Sequence, residues 1–244
     1  MPSELGALTN LESLQLSSNQ IRGTIPNEYY ALSSLADFYT DNNALTGTIS
    51  TYVGAFSNLK SLSFENNQLS GSIPSEFGLL GNMSVLWAHN NSLSGPIPSE
   101  LGVLSNLQVL YTYTNPQITG TLPTELGLLS NLIHMYVYGH SITGSIPSEL
   151  GSLSSLQQLA LDDNEHTGTV PTELGRLSSA GAIWLYNNTL TGSIPSELSR
   201  LSRSLQTLHL SKNMLSGAIP SDLGRLTGRY TLQECFMNNK FCKF

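Results

Sequence analysis

Charged residues are scarce in this chain, and basic residues are the scarcest. Only 11% of the 244 residues are Asp, Glu, Lys or Arg, against about 25% in an average soluble protein. The 10 Lys and Arg residues are outnumbered by 17 Asp and Glu residues. Nucleic-acid phosphates and anionic lipid headgroups both attract basic patches. The composition therefore excludes nucleic acid as a partner and argues against binding to a membrane surface.

Long apolar runs and cysteines are also lacking. No segment approaches the roughly 18 consecutive apolar residues of a membrane span, so no membrane insertion is predicted. Residues 1–4 lack the basic and apolar segments of a secretory signal peptide. The chain has 2 cysteines, both close to its C-terminal end, which excludes a small scaffold held together by many disulfides.

The chain consists instead of one sequence unit that recurs about ten times. The unit is P-x-E-L-G-x-L-x-x-L-x-x-L-x-L-x-x-N-x-L-x-G-x-I, and its clearest copy covers residues 147–170. Clear copies begin at Pro2, Pro74, Pro98, Pro123, Pro147, Pro171, Pro195 and Pro220, and weaker copies begin at Pro26 and Ser50. Most intervals are 24 residues long, and two contain one extra residue.

The apolar pattern of the unit predicts both a strand and a shared core. Leu159 and Leu161 alternate with polar residues, which is the period of a strand, and Leu153 and Leu156 are expected to point inward with them. Residues 147–151 predict a short helical or 3-10 turn that Pro begins and Gly ends. Asn164 is expected to be buried and to bond the backbone where the chain turns.

One such unit cannot bury its leucines alone, so successive units must stack. The predicted fold is an α/β repeat: a right-handed solenoid of about ten 24-residue repeats, with a parallel sheet on its concave face and short helical or 3-10 turns. No linker is visible, so residues 1–244 are predicted to form a single domain in which residues 232–244 close the last coil.

The segment L-x-G-x-I-P-x-E-L-G-x-L-x-x-L-x-x-L-x-L-x-x-N resembles the plant-type leucine-rich repeat. This subtype occurs in receptor-kinase ectodomains and in polygalacturonase-inhibiting proteins. The resemblance covers nearly the whole chain and implies a second short sheet at each T/S-G-x-I-P segment. It also favours a secreted protein or another compartment of the secretory pathway, although no signal peptide is recognised.

Both ends depart from the family pattern. The family usually has an N-terminal cap with a cysteine pair, whereas here Met1 leads directly into a repeat. The cap is therefore predicted to be absent, through a trimmed N-terminus or a partner that covers the open edge. At the other end, Cys235 and Cys242 occupy apolar positions. Two alternatives stay open for them: buried thiols, or a disulfide that closes the last coil.

Exposed positions of the predicted strands carry an unusual share of the aromatic residues. Two columns, one between the strand leucines and one two residues further on, hold six of the 10 tyrosines and both of the 2 tryptophans. Ser63 and Ala160 show that these positions do not require rings. Binding hot spots are rich in Tyr and Trp, but aromatic residues also stack in ladders between coils. The binding interpretation is preferred.

The predicted partner-binding residues are Tyr39, Asp41, Trp87, His89, Tyr111, Tyr113, Tyr136, Tyr138, Asp162, Trp184 and Tyr186. Four carboxylates, Asp41, Glu65, Asp162 and Asp163, are expected to form an acidic rim that favours a neutral or basic partner. The adjacent pair Asp162 and Asp163 is expected to be a solvated edge.

No arrangement typical of an enzyme is found. His89 and His134 are too far apart in the predicted sheet for a shared zinc ion, and no third ligand converges with them. His140, in place of the usual Asn, is expected to be a turn residue, and His166 to be locally bonded or partly exposed. The chain is therefore predicted not to be an enzyme, with no catalytic residue, no metal site and no cofactor.

Two other features are noted on the predicted surface. Glycosylation sequons stand at Asn82, Asn90 and Asn187, where use would require a secretory route. Thr and Ser residues around the repeated Gly form regular columns that resemble ice-binding surfaces, although T/S-G-x-I-P is common in this repeat type.

The sequence thus predicts a non-enzymatic recognition scaffold that binds a protein or peptide partner on its aromatic concave face. Three alternatives stay open. The first is a secreted inhibitor or glycan-binding module of the polygalacturonase-inhibitor type. The second is ice binding through the Thr/Ser columns, and the third is a docking subunit of a larger complex.

Overall fold

A computed structural model describes residues 1–225 and 239–241. Within them, each repeat forms one coil of a solenoid, and one short strand per coil joins a parallel sheet of nine strands, the long sheet. Its strands are Ser13–Gln15, Asp37–Tyr39, Ser61–Ser63, Val85–Trp87, Val109–Tyr111, His134–Tyr136, Gln158–Ala160, Ala182–Trp184 and Thr207–His209. Their order in the sheet follows the order along the chain, as predicted for stacked coils.

A 3-10 helix follows on the other side of each coil. The helices are Ser3–Ala7, Asn27–Ala31, Thr51–Ala55, Ser75–Leu79, Ser99–Val103, Thr124–Leu128, Ser148–Ser152, Thr172–Arg176, Ser196–Leu201 and Ser221–Arg225. In the clearest repeat, Pro147 is extended, with φ −62° and ψ 132°, and the helix begins at the next residue. Across residues 1–225 and 239–241, no helix has the length and apolar character needed to cross a membrane.

The glycine found in most of these helices has a different role from the one predicted. Gly151 lies inside the helix Ser148–Ser152 and does not end it. A Cβ atom at Gly151 would lie 2.3 Å from the carbonyl oxygen of Glu173 in the next coil. The missing side chain therefore lets neighbouring coils approach each other, and the prediction of a helix-ending glycine was wrong.

A second, shorter line of strands runs along the solenoid, as the resemblance implied. Ser70–Ser72, Ser92–Gly95 and Gln117–Ile118 form a three-stranded parallel sheet. Arg22–Gly23 pairs with Ala44–Leu45, and Ser216–Gly217 pairs with Lys240–Phe241. Isolated bridges such as Thr121 to Thr143 and Thr169 to Thr191 continue this line between the sheets.

The core is continuous from coil to coil. Leu153, Leu156, Leu159 and Leu161 are all fully buried, as predicted. Leu159 lies in register with Met135 on one side and Ile183 on the other, both of them also fully buried. Each coil thus buries its apolar residues against its two neighbours, which makes stability a sum of nearest-neighbour contacts.

A ladder of buried and half-buried asparagines bonds the turn after most strands of the long sheet. Asn164 donates to the carbonyl oxygens of Val137 at 2.9 Å and Leu161 at 3.2 Å, and it accepts from the backbone N–H of Ile142 at 3.4 Å. This confirms its predicted role. Equivalent bonds are made by Asn43, Asn67, Asn91, Asn115, Asn188 and Asn213.

The C-terminal end continues the same pattern where it is described. Asn239 donates to the carbonyl oxygen of Leu210 at 2.9 Å and accepts from the backbone N–H of Leu215 at 3.0 Å. Cys235 and Cys242 lie outside the described residues, as does most of the segment 232–244, so the two alternatives for the cysteines stay open.

Candidate functional site

The outer face of the long sheet carries the two aromatic columns. Because successive side chains of a strand point to opposite sides, Leu110 and Thr112 are buried while Tyr111 and Tyr113 are half-buried on the outer face. Strand register places the first column in the order Trp87, Tyr111, Tyr136, Ala160, Trp184 and His209. The second column lies beside it, two residues further along each coil.

The central rings stack from coil to coil. Tyr111 and Tyr136 have ring centroids 4.4 Å apart and planes 8° apart. In the second column, Tyr113 stacks on His89 at 4.1 Å and on Tyr138 at 4.6 Å, with planes 17° and 5° apart. Adjacent parallel strands lie about 4.8 Å apart, which is close to the spacing of stacked rings. The predicted columns are therefore also a stacking ladder, and the rings are held rigidly on the face.

Burial suppresses ionisation of the central rings Tyr111 and His89 on this face. Burial, followed by the neighbouring Tyr136 and Tyr113, raises the pKa of Tyr111 to about 12. Burial lowers the pKa of His89 to about 4, although the charge of Asp41 acts in the opposite direction. At neutral pH these central rings are therefore uncharged.

Three of the predicted residues lie away from these stacks. The hydroxyl of Tyr39 donates to Asp37 Oδ1 at 3.3 Å, on the N-terminal side of the aromatic cluster. Asp41 accepts from the hydroxyls of Ser17 and Ser63. The indole of Trp87 is half-buried, and within the described residues its Nε1 has no hydrogen-bond partner.

Glu65 and Asp41 do not form the predicted acidic rim around the aromatic face. Glu65 is 9% exposed and accepts from Ser63 Oγ at 2.7 Å, and the same hydroxyl lies 2.8 Å from Asp41 Oδ1. Burial raises the pKa of Glu65, whereas for Asp41 hydrogen bonds from Ser17, Ser63 and Asn42 outweigh burial and lower it. These carboxylates lie in the floor of the face as part of a hydrogen-bonded network.

A cleft opens at the strand Gln158–Ala160, where neither column carries an aromatic ring. It has a volume of about 440 Å³ and is lined by Tyr136, Tyr138, Ala160, Asp162, Trp184, Tyr186 and His209. At this coil the first column carries Ala160 and the second carries Asp162, neither of which has a ring. The rings of the two flanking coils therefore form the walls of the cleft.

The carboxylate of Asp162 forms part of the floor of this cleft. Asp162 is 4% exposed, so the prediction of a solvated edge was wrong for this residue. Burial raises its pKa to about 6, although a hydrogen bond from Tyr186 acts in the opposite direction. Asp163 has a left-handed φ of 49°, which turns the chain, and its Oδ1 accepts from Asn187 Nδ2 at 2.6 Å. The two neighbouring carboxylates thus have different environments.

Two of the histidines are structural. His140 is buried in the place of a ladder asparagine, and it lies in the bend after the strand His134–Tyr136, as a turn residue does. Its Nδ1 lies 2.9 Å from the carbonyl oxygen of Asn115, so this nitrogen carries the proton and Nε2 accepts from Thr112 Oγ1 at 3.1 Å. His166 is fully buried and not partly exposed; its Nδ1 lies 3.4 Å from Gly144 O, whereas its Nε2 has no hydrogen-bond partner within the described residues.

The described residues show no metal-binding cluster. Among residues 1–225 and 239–241, no three His, Cys, Asp or Glu side chains are grouped as metal ligands. Burial lowers the pKa of His140 and of His166 to about 4, so both are neutral at physiological pH.

The sequons and the Thr/Ser columns lie on the surface. Asn82 and Asn187 are exposed, whereas Asn90 is partly exposed and donates to Asn66 Oδ1 at 2.7 Å. One hydroxyl column is exposed throughout and comprises Thr24, Thr48, Ser72, Thr121, Ser145, Thr169 and Ser193. Pro96 and Ala218 interrupt it at two coils.

Comparison with known proteins agrees with this geometry. The family model described as Leucine Rich Repeat matches residues 10–32, 58–80, 82–104 and 204–226. The ectodomain of the Arabidopsis receptor kinase HAESA, solved with an IDA peptide hormone, matches 99% of this chain with 32% identity and a TM-score of 0.89. The chain is built from plant-type leucine-rich repeats.

Two further leucine-rich-repeat comparisons extend this result. The plant peptide hormone receptor RGFR1, solved with RGF2, matches 96% of this chain with 32% identity and a TM-score of 0.78. This chain spans 41% of the RGFR1 chain and 40% of the HAESA chain. A plant ice-binding protein matches 99% of this chain with 26% identity and a TM-score of 0.81, and 76% of it is covered. No curated protein sequence gives a significant match.

The leucine-rich-repeat columns contain two site residues that sequence reasoning missed. His209 contacts Tyr186, with ring centroids 4.5 Å apart, and lines the cleft, but it was left out of the predicted set. Ala160 was treated only as a sign that the column tolerates small residues. Ala160 lies between Tyr136 and Trp184 in the first column, and this position could have indicated from the sequence that a ring is missing there.

Proposed function

We propose that this leucine-rich-repeat chain is a non-enzymatic scaffold that binds an extended peptide or protein segment across the aromatic face of its long sheet. The observation that carries the proposal is the stacked ring cluster from His89 to Tyr138, continued past the cleft by Trp184 and Tyr186. HAESA and RGFR1, which have the same fold, were both solved with peptide hormones, and this supports a peptide as the partner.

The physical basis is preorganisation. Stacked rings lose little conformational freedom when a ligand covers them, so more of the contact energy appears as affinity. Tyrosine and tryptophan also combine a large apolar surface with a polar atom that can bond a peptide backbone. Raised tyrosine pKa values keep these hydroxyls protonated, and therefore able to donate, throughout the physiological range.

Affinity capture from a native extract tests this proposal. The wild-type chain is compared with a variant in which Trp87, Tyr111, Tyr136 and Trp184 are all replaced by Ala. Captured proteins or peptides are identified by mass spectrometry, and the dissociation constant of the purified partner is then measured against both chains. We expect the face variant to bind at least about tenfold more weakly, because each truncated hot-spot ring costs about 1 kcal/mol or more.

A matched control carries the same number of apolar truncations on the helix side. Tyr52, Leu79, Val103 and Leu128 are among the most exposed large apolar residues of the described chain, and all four are replaced by Ala. This control variant should bind like the wild type. Loss of the partner by the control and not by the face variant would place binding on the helix side and overturn the proposal.

Ice binding is a second candidate, and a separate observation favours it. The exposed column from Thr24 to Ser193 presents hydroxyl and methyl groups at one coil spacing, and a plant ice-binding protein has the same fold. The test is thermal hysteresis of the wild type against a variant with Thr121→Tyr and Thr169→Tyr, with Ser152→Tyr as control. No hysteresis and no shaping of ice crystals in the wild type would remove this candidate.

The remaining alternatives, an inhibitor or glycan-binding module and a docking subunit of a larger complex, stay predictions. The first is tested by binding to cell-wall polysaccharides and cell-wall hydrolases. The second is tested by the mass of the species that the chain forms in its native extract.

A further inference from the structure

Between His89 and Tyr186 the second aromatic column has one position without a ring, and the buried carboxylate of Asp162 occupies it. His89, Tyr113 and Tyr138 stack in succession at 4.1 and 4.6 Å. The next coil supplies Asp162 in place of a ring, and the coil after it supplies Tyr186. Two strand spacings separate the coils of Tyr138 and Tyr186, about 10 Å, which leaves room for one planar group between the rings.

The charge in the cleft is negative and lacks a nearby cation. Asp162 is nearly fully buried, and its carboxylate accepts hydrogen bonds from the Tyr186 hydroxyl and from its own backbone, beside the like charge of Asp163. No Lys or Arg is among the residues that line the cleft in the part of the chain that the structure describes. Burial of a carboxylate without a cation is unfavourable, and this explains why its pKa rises to about 6.

We propose that this cleft binds the guanidinium group of an arginine side chain of the peptide partner. The guanidinium plane continues the stack between Tyr138 and Tyr186, and its N–H groups donate to the Asp162 carboxylate. This inference rests on the proposed function and names the chemistry that one part of the face recognises.

Guanidinium satisfies three requirements of the cleft together. It is planar, so it can stack on the face of a ring such as that of Tyr138. It is also cationic, so it neutralises Asp162, and it donates several hydrogen bonds in a fixed fork. The faces of Tyr and Trp rings also attract cations electrostatically. An ammonium group has the charge but not the planar shape, and a neutral amide has neither the charge nor the attraction to the rings.

The tryptophan side chains of the protein can report on binding at this site. Of its 2 tryptophans, Trp184 lines the cleft, whereas Trp87 lies on the same face three strands away from the cleft strand. The two indole N–H signals of the full chain are followed by ¹H–¹⁵N NMR and assigned with a Trp87→Phe variant. Nα-acetyl-arginine amide is titrated at pH 7.5, with Nα-acetyl-citrulline amide as the neutral isostere and Nα-acetyl-lysine amide as the ammonium probe.

We expect the arginine probe to shift the Trp184 signal in a saturable way and to leave the Trp87 signal unchanged. The citrulline probe should bind at least about tenfold more weakly, since a charge-assisted hydrogen bond is about twice as strong as a neutral one. Asp162→Asn should lose the difference between arginine and citrulline. The matched variant Asp163→Asn should keep it, because that carboxylate does not line the cleft, although it accepts from Asn187 and from the Tyr186 hydroxyl.

The outcomes separate this inference from the proposed function. Equal binding of arginine and citrulline, preference for lysine, or an unchanged arginine preference in Asp162→Asn overturns the inference. If the partner from the native extract still depends on the aromatic rings in that case, the proposed function stands without it. If arginine preference is found but no partner depends on the rings, the cleft is a cation site and the peptide-scaffold proposal fails. Circular dichroism of both Asp variants checks that they remain folded.

Discussion

Replacement of Asp162 by Asn should make the protein more stable at neutral pH. The carboxyl group has an ordinary pKa of 3.8, and burial raises it to about 6 in the folded protein. A difference of about two pKa units corresponds to about 3 kcal/mol of unfavourable free energy at a pH above both values. An asparagine amide must also find hydrogen-bond partners in the same place, so we expect a net gain of about 1–2 kcal/mol.

The sign of the pH dependence follows from proton binding. Between about pH 4 and pH 6 the folded protein holds a proton on Asp162 that the unfolded chain has released. The free energy of unfolding contributed by this group therefore falls as pH rises through that window. The stability difference between Asp162→Asn and the wild type should be largest near pH 7.5 and should shrink as pH falls toward 4.

Urea unfolding at pH 4.5 and pH 7.5, followed by circular dichroism, measures both effects. Asp163→Asn is the matched control, since that side chain is more exposed and already accepts from Asn187, and its stability should stay within about 0.5 kcal/mol of the wild type. An Asp162→Asn variant that is no more stable than the wild type at pH 7.5 would refute the reasoning, because Asp162 would then not be an unfavourable buried charge.

The other predictions concern the coil contacts and the buried histidines. Gly151→Ala should cost about 2–4 kcal/mol in urea unfolding because its Cβ would meet the carbonyl oxygen of Glu173, whereas Gly81→Ala, with no atom within 4 Å, should be nearly neutral. Asn188→Ala should cost about 2–4 kcal/mol, since it leaves its buried backbone partners at Leu161 and His166 unbonded; a smaller loss than in Gly81→Ala would contradict this. His140 has a pKa of about 4 against an ordinary 6.5, so unfolding takes up a proton between these values. Stability should fall as pH falls through that window, and His140→Asn should lessen the fall in a series of urea midpoints.

The repeat predicted most of the fold because the same physics acts in every coil. Leu159 and Asn164 are buried in the predicted way, since apolar alternation and an unbonded turn leave a coil few other solutions. The reason why a glycine is needed at position 151 could not be inferred from the sequence of one repeat. It depends on how closely the backbone of the next coil approaches, which no residue of its own coil reports.

The sequence predicted which residues lie on the outer face of the long sheet, but not how deeply each of them is buried. Residues such as Tyr111 and Tyr138 lie on the outer face as expected, and their parallel stacking follows from equal spacing of coils and rings. Asp162 was misplaced because its surroundings include other coils: the hydroxyl that bonds its carboxylate belongs to Tyr186, one repeat further on. Reading down the columns, instead of along the chain, would have shown the gap at Ala160.

The coil spacing of the long sheet also restricts the pattern of anchors that an extended ligand can use. Coils advance by about 4.8 Å, whereas side chains on one side of an extended peptide recur about every 6.8 Å. Because these two spacings differ, most peptide side chains do not align with a coil. The two spacings return to near coincidence after three coils, about 14 Å, which equals two same-side intervals of the peptide. Trp87 and Ala160 are three strands apart in the long sheet. A peptide that runs along the coil axis would therefore place its anchors four residues apart, one near Trp87 and the other in the cleft.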